Sequence, residues 1–201
     1  MTITVIDDSA GSGATLWGGS AADTFTGDEG DDILRGGGGN DKLTGGLGVD
    51  TFVFESTGEA NGRDEIEEFE AGSDELDVSA FTGVSINAAA PSLDGALGGE
   101  LLGAPAKAEF IYNKANGRLD EDDFADSSEA GKFEIPDGGA SVVVVTADPT
   151  GAAGNAENSA MSVYFVVNGA ASGLSDLSVT LVATVTADDE LTLAQMFDAL
   201  H

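Results

Sequence analysis

Four nonapeptides follow one another without a slip from Gly18 to Val53: GGSAADTFT (18–26), GDEGDDILR (27–35), GGGGNDKLT (36–44) and GGLGVDTFV (45–53). Glycine opens each unit, at Gly18, Gly27, Gly36 and Gly45. Aspartate holds the sixth place, at Asp23, Asp32, Asp41 and Asp50, and a large apolar residue the eighth, at Phe25, Leu34, Leu43 and Phe52. A glycine- and aspartate-rich linker has no reason to keep three positions in phase over successive units. The pattern describes a solenoid in which each unit stacks on a neighbour.

The repeat resembles the G-G-x-G-x-D-x-U-x nonapeptide of the RTX family, whose members form a calcium-binding parallel β-roll. In such a roll each nonapeptide is half a coil, so a full coil takes about 18 residues. Glycines let the backbone turn sharply without a Cβ clash and leave turn carbonyls exposed. Alternate strand residues face opposite sides, so Phe25, Leu34, Leu43 and Phe52 are expected to stack as the core. Turns two units apart share a side, which sets Asp23 over Asp41 and Asp32 over Asp50. Stacked carboxylates and turn carbonyls together offer the hard oxygens that Ca²⁺ accepts at about 2.3–2.6 Å. The expected metal-site residues are therefore Gly18, Asp23, Gly27, Asp32, Gly36, Asp41, Gly45 and Asp50. Without the ion the stacked carboxylates repel, so folding and binding are expected to be coupled.

The units deviate in places. The preceding stretch SAGSGATLW (9–17) keeps Leu16 at the core place but has Ala14 where aspartate belongs, and reads as an end cap, with Trp17 packing on the roll. Asp28 replaces the usual second glycine and Val49 occupies a turn place, changes of shape rather than ligation.

Residues 54–81, FESTGEANGRDEIEEFEAGSDELDVSAF, carry the pattern D-x-I-x-x-F-x-x-G-x-D-x-L-D-V-S at Asp64, Ile66, Phe69, Gly72, Asp74, Leu76, Asp77 and Ser79. This resembles the segment that follows the roll in RTX proteins exported by type I secretion, including serralysin C-terminal domains and alginate epimerase R-modules. The resemblance implies that Asp64 completes a further calcium site and that Ile66, Phe69, Leu76 and Phe81 close the open end of the roll. It also implies an uncleaved export signal at the C-terminal end, in keeping with an N-terminal stretch that has no basic start and no long apolar run.

Charge agrees with an extracellular, calcium-rich setting. The 201 residues carry 37 acidic against 7 basic side chains, a formal net charge of -30. Such a surface repels nucleic acid and anionic lipid, so neither is an expected partner. There is no cysteine and hence no disulfide framework. No stretch approaches the roughly 20 apolar residues of a membrane span.

The remaining chain, 82–201, is expected to form a β-rich C-terminal region that makes one continuous body with the roll at 1–81. AEFIYNKANGRLD (108–120) reads as a hairpin turning at Asn116-Gly117. VVVVT (142–146), SVYFVV (162–167) and SVTLVATV (178–185) are β-branched runs suited to buried strands. DELTLAQMFDAL (189–200) reads as a short terminal helix with Leu193, Met196, Phe197 and Leu200 on one face. Ile3 and Val5 alternate as in a strand. The fold class is thus all-β, a parallel roll continuing into a β-rich region with a short terminal helix.

Other acidic features carry less. Asp120, Glu121, Asp122 and Asp123 read as a solvated turn, because aligning Gly117 with the glycine of an EF-hand loop puts Tyr112 and Lys114 at ligand places. Glu67 and Glu68 form a chance pair in so acidic a chain, and His201 reads as a tail. No nucleophile and base stand together, and there is no room for a catalytic domain ahead of the roll, so an enzyme is not expected. The expected function is a secreted or cell-surface structural protein that folds on Ca²⁺ and associates with copies of itself into a layer, filament or biofilm matrix. The alternative is a calcium-dependent module that binds extracellular polysaccharide.

Overall fold

A computed structural model describes residues 4–6, 11–55, 58–81, 109–113, 124–125, 133–134, 140–146, 160–168, 177–188 and 199. The nonapeptides fold as expected, each giving one short strand and one turn. Strands β1 (Thr4–Ile6), β3 (Thr24–Glu29), β5 (Lys42–Leu47) and β7 (Asp64–Phe69) lie side by side in parallel. Strands β2 (Thr15–Trp17), β4 (Ile33–Arg35), β6 (Thr51–Val53) and β8 (Glu75–Asp77) form the second parallel sheet. Odd-numbered repeats feed one sheet and even-numbered repeats the other, which is the construction of a β-roll.

Register follows from the eighth-place residues. Phe25 pairs with Leu43 and Leu43 with Ile66, while Leu16, Leu34, Phe52 and Leu76 run in file across the other sheet. All of these are buried. A slip of one residue would turn the whole file to solvent, so burial fixes the register. The segment after the repeats continues the roll with longer loops, and Ile66, Phe69 and Leu76 are buried in its core. Ser79–Phe81 form a 3₁₀ turn, and the packing of the Phe81 side chain lies outside the described residues. Gly62 shows why these loops keep glycine: its φ is +82°, and a Cβ there would strike the carbonyl of Gly39. Asp28 adopts φ +80° at its second-glycine place, a conformation that aspartate tolerates better than most residues.

The roll does not end at β7. Its sheet runs on through β14 (Leu177–Ala187), β13 (Ala160–Asn168), β12 (Ala140–Thr146) and β9 (Glu109–Asn113). Strand β14 lies parallel to β7 and antiparallel to β13, which in turn is antiparallel to β12. The three β-branched runs are therefore strands, and Val163, Val166, Val182 and Val185 are fully buried. Opposite Ala187, β7 carries an irregularity in register where Glu68 takes φ +57°.

One expectation changes, and another lies outside the described residues. Strand β9 lies parallel to β12, so its described partner is not a hairpin neighbour; Asn116 and Gly117 lie outside the described residues. Trp17 is not packed on the roll: it is 66% exposed, with the Arg35 guanidinium carbon 5.2 Å from its ring centroid. The Trp17 side chain points outward because Leu16, its neighbour in β2, takes the inward place. Of the terminal helix at 189–200, only Ala199 is described; it is buried, and its carbonyl accepts the Leu76 N–H at 2.6 Å. Strands β10 (Phe124–Ala125) and β11 (Phe133–Glu134) pair in parallel. Asp120 to Asp123 and His201 lie outside the described residues. No helix among the described residues is long and apolar enough to cross a membrane.

Candidate metal centre

Each sixth-place aspartate stands two residues before a buried apolar residue, so the strand that buries the core also carries its carboxylate inside the turn. The result is two columns. Asp23, Asp41 and Asp64 make one; Asp32, Asp50 and Asp74 make the other. All six are buried, at 3% exposure or less.

The columns are laced by hydrogen bonds from backbone to carboxylate. Asp41 Oδ1 accepts the N–H of Asp23 at 2.8 Å, and Asp64 Oδ1 accepts that of Asp41 at 3.1 Å. In the other column Asp32 Oδ1 accepts the N–H of Ala14 at 2.6 Å, Asp50 Oδ1 that of Asp32 at 2.8 Å, and Asp74 Oδ1 that of Asp50 at 3.0 Å. One oxygen of Asp32, Asp41, Asp50, Asp64 and Asp74 is thus spent on the coil before it, while Asp23 Oδ2 accepts the N–H of Gly19 in its own repeat at 2.9 Å. The simple picture of two facing carboxylates gives way to a strut and a free oxygen.

That free oxygen is where the chemistry lies. Oδ2 of Asp32, Asp41 and Asp50 is buried and has no hydrogen-bond partner. A buried unpaired acceptor on a charged group is among the most costly features a fold can carry. Each of these oxygens faces the opening glycine of its own repeat. A Cβ on Gly27 would strike Asp32 Oδ2 and the carbonyl oxygen of Gly45; one on Gly36 would strike Asp41 Oδ2, and one on Gly45 would strike Asp50 Oδ2. At Gly18 the neighbours are the Gly36 carbonyl oxygen and Asp23 Oδ2. The glycines keep open a small space lined by oxygen.

Electrostatics point the same way. Burial raises the pKa of Asp41, and pushes Asp50 up to about 6 and Asp64 up to about 7. For Asp50 the neighbouring carboxylates of Asp32, Asp31 and Glu70 add to the effect. Burial likewise pushes Asp74 up to about 6. The two ion pairs among the described residues, Arg35 with Glu55 at 3.2 Å and Lys42 with Glu67 at 2.7 Å, involve none of these aspartates. A cation is the missing partner.

The donor set fits calcium. It is all oxygen, with no nitrogen or sulfur, as hard cations require. Among the described residues no three carboxylate, imidazole or thiolate side chains converge on one point. An ion here would take one carboxylate oxygen and complete its shell from turn carbonyls such as those of Gly36 and Gly45.

The structure brings Asp23, Asp32, Asp41, Asp50 and Asp64 into these columns. Sequence reasoning omitted Asp74 from the site, although Asp74-x-Leu76 repeats the spacing of Asp50-x-Phe52. It also passed over Asn61, whose amide Nδ2 donates to Asp64 Oδ2 at 2.8 Å.

Residues 17–52 match the family model of the RTX calcium-binding nonapeptide repeat in 4 copies. Among solved structures the chain is similar to the AlgE6R3 subunit of the Azotobacter vinelandii mannuronan C5-epimerase, determined in solution. That likeness has 33% identity and a TM-score of 0.36, covering 50% of this chain and 54% of that one, so the chain spans about half the length of its neighbour. No curated protein gives a match. The four nonapeptides are thus RTX repeats, a calcium-binding structural unit.

Proposed function

We propose that this chain is a secreted structural protein whose roll folds on calcium outside the cell, and that the folded form associates with copies of itself in a surface layer, filament or biofilm matrix. The observation that carries the reading is the set of buried, unpartnered Oδ2 atoms of Asp32, Asp41 and Asp50 in a chain of net charge -30. In this reading Asp23, Asp32, Asp41 and Asp50 supply the side-chain ligands. Gly18 and Gly27 keep the space open, and Gly36 and Gly45 supply carbonyls. Sites of modest affinity would stay empty at the low free calcium of the cytosol, which supports a folded state outside the cell. Residues 1–81 act as the calcium-dependent unit and 82–201 as the β-rich remainder that carries the export signal. No residue is assigned a catalytic role.

Association is supported by the outer edge of β1, where Ile6 is 67% exposed. An unprotected edge strand invites strand addition by a neighbour. Circular dichroism and light scattering in millimolar calcium and in excess chelator test both parts. Folding that ignores calcium refutes the first, and a calcium-bound monomer at high concentration refutes the second. A second reading, a polysaccharide-binding module, is favoured by the outward Trp17 with Arg35 beside it, a flat apolar face next to a cation. Retention on an acidic-glycan column that depends on Trp17 would select it.

A further inference from the structure

The six stacked aspartates divide by what meets their second oxygen. Oδ2 of Asp32, Asp41 and Asp50 has no partner, whereas Asp23 Oδ2, at the N-terminal end of its column, accepts the Gly19 N–H at 2.9 Å. At the C-terminal end of each column a protein donor fills the place. Asp74 Oδ2 accepts the Glu70 N–H at 2.8 Å, and Asp64 Oδ2 accepts the side-chain amide of Asn61 at 2.8 Å.

Asn61 is 1% exposed and uses both ends of its amide. Its Oδ1 accepts the Glu55 N–H at 2.8 Å, and Nδ2 reaches the Val182 carbonyl oxygen at 3.4 Å as well as Asp64. These partners settle the orientation of the group, since an N–H must meet an acceptor and a carboxylate must meet a donor. Asn61 ends the four-residue helix α1 (Gly58–Asn61), and the left-handed Gly62 turns the chain at once into β7. The loop inserted after the last repeat therefore delivers one amide to one carboxylate.

The need for it follows from topology. Above Gly27 stands the Gly45 carbonyl of the next coil, and above Gly18 that of Gly36. Beyond Asp64 comes no glycine turn: the strand beside β7 is β14, with Ala183 in register with Asp64. An ion at Asp64 would lack the carbonyls that a further coil supplies. We infer that Asn61 ends the odd-repeat column as a protein-borne substitute for calcium, so that Asp64 is a capped strut rather than a calcium ligand, and that the same side chain fastens the roll to the C-terminal sheet through Val182. This rests on the calcium reading above and limits where it applies.

Calcium bound per chain, measured by equilibrium dialysis and elemental analysis, tests it. Wild type and Asp64→Asn should bind the same number of ions, whereas Asp50→Asn should bind one fewer. Asn61→Asp sets two carboxylates face to face beside the Val182 carbonyl and should add one ion. If Asp64→Asn does not fold, Asn61→Ala answers the question: it should lose no calcium, while the β14 amides exchange about tenfold faster with solvent as a buried hydrogen bond is lost. Loss of an ion from Asp64→Asn or Asn61→Ala with the roll intact overturns the inference and leaves the calcium reading standing. A wild-type chain that binds no calcium overturns both.

Discussion

The carboxylate of Asp41 holds the backbone N–H of Asp23 with one oxygen, at 2.8 Å, and leaves the other buried and unpartnered. The same side chain is thus a structural strut and a ligand in waiting, and the two roles can be separated by mutation.

Asp41→Asn keeps an acceptor for the Asp23 N–H and removes the charge, so calorimetry should show one calcium fewer with a modest change in the calcium-free state. Asp41→Ala removes the strut as well and strands a buried N–H, which costs about 1–3 kcal/mol more. Asp122→Ala, in the acidic run after β9, should alter neither calcium count nor denaturation midpoint. Equal effects of Asp41→Ala and Asp122→Ala would refute the assignment. At a Kd on the order of 10⁻⁴ M, each site filled by about 1 mM calcium adds roughly 1.4 kcal/mol to stability.

Acid should substitute in part for calcium. Asp50, Asp64 and Asp74 have folded-state values of about 6, 7 and 6 against 3.8 ordinarily, so the folded, metal-free chain binds protons more tightly than the unfolded one. Its stability is then greatest below about pH 4 and is lost as pH rises through about 6 to 7. Calcium holds its ligand Asp50 ionised, so the loaded protein should respond in the opposite sense there and release calcium on acidification through about pH 6. Circular dichroism of metal-stripped protein at pH 4.5 and 7.5 decides it; more ordered structure at the higher pH would contradict the direction.

Glu68→Gly should stabilise the protein. A glutamate at φ +57° bears a steric cost of about 1 kcal/mol that glycine avoids, although glycine loses more entropy on folding. A gain of roughly 0.5 kcal/mol in denaturant unfolding, with calcium saturating, is the expected result. A loss of stability would mean that the Glu68 side chain matters more than its backbone.

Ile6→Lys should separate folding from association. The side chain is exposed, so the calcium-bound fold should survive, while a charge on the edge of β1 blocks strand addition. Light scattering in calcium should show monomers for the variant and large particles for wild type. Particles of equal size would place the contact elsewhere.

The roll was legible because three marked positions recur in phase, and each has a separate physical duty: turn, carboxylate, core. Strands β12, β13 and β14 were legible from their β-branched runs. Their partners were not. The pairing of β14 with β7 leaves no local trace in the sequence, and neither does the parallel pairing of β9 with β12. Asn61 was illegible for the same reason, since one of its partners, Val182, lies 121 residues away. Asp74 could have been read from its spacing to Leu76. Trp17 was misplaced because a large aromatic next to a core residue suggests packing, whereas strand alternation turns it outward.

The parallel seam between β7 and β14 also sets a clock. Coils stack on neighbours about 18 residues away, a short loop to close, whereas the seam must bring together segments more than a hundred residues apart, and slow searches go with distant contacts. Refolding begun by a calcium jump should therefore run in two phases. A fast one would bury Phe25, Leu43 and Phe52, and a slower one would bury Val182 and Val185 and be insensitive to further calcium. Between them the chain would exist as a finished roll with the bare edge of β7 as its template, and that interval is when a neighbouring chain could take the place meant for β14.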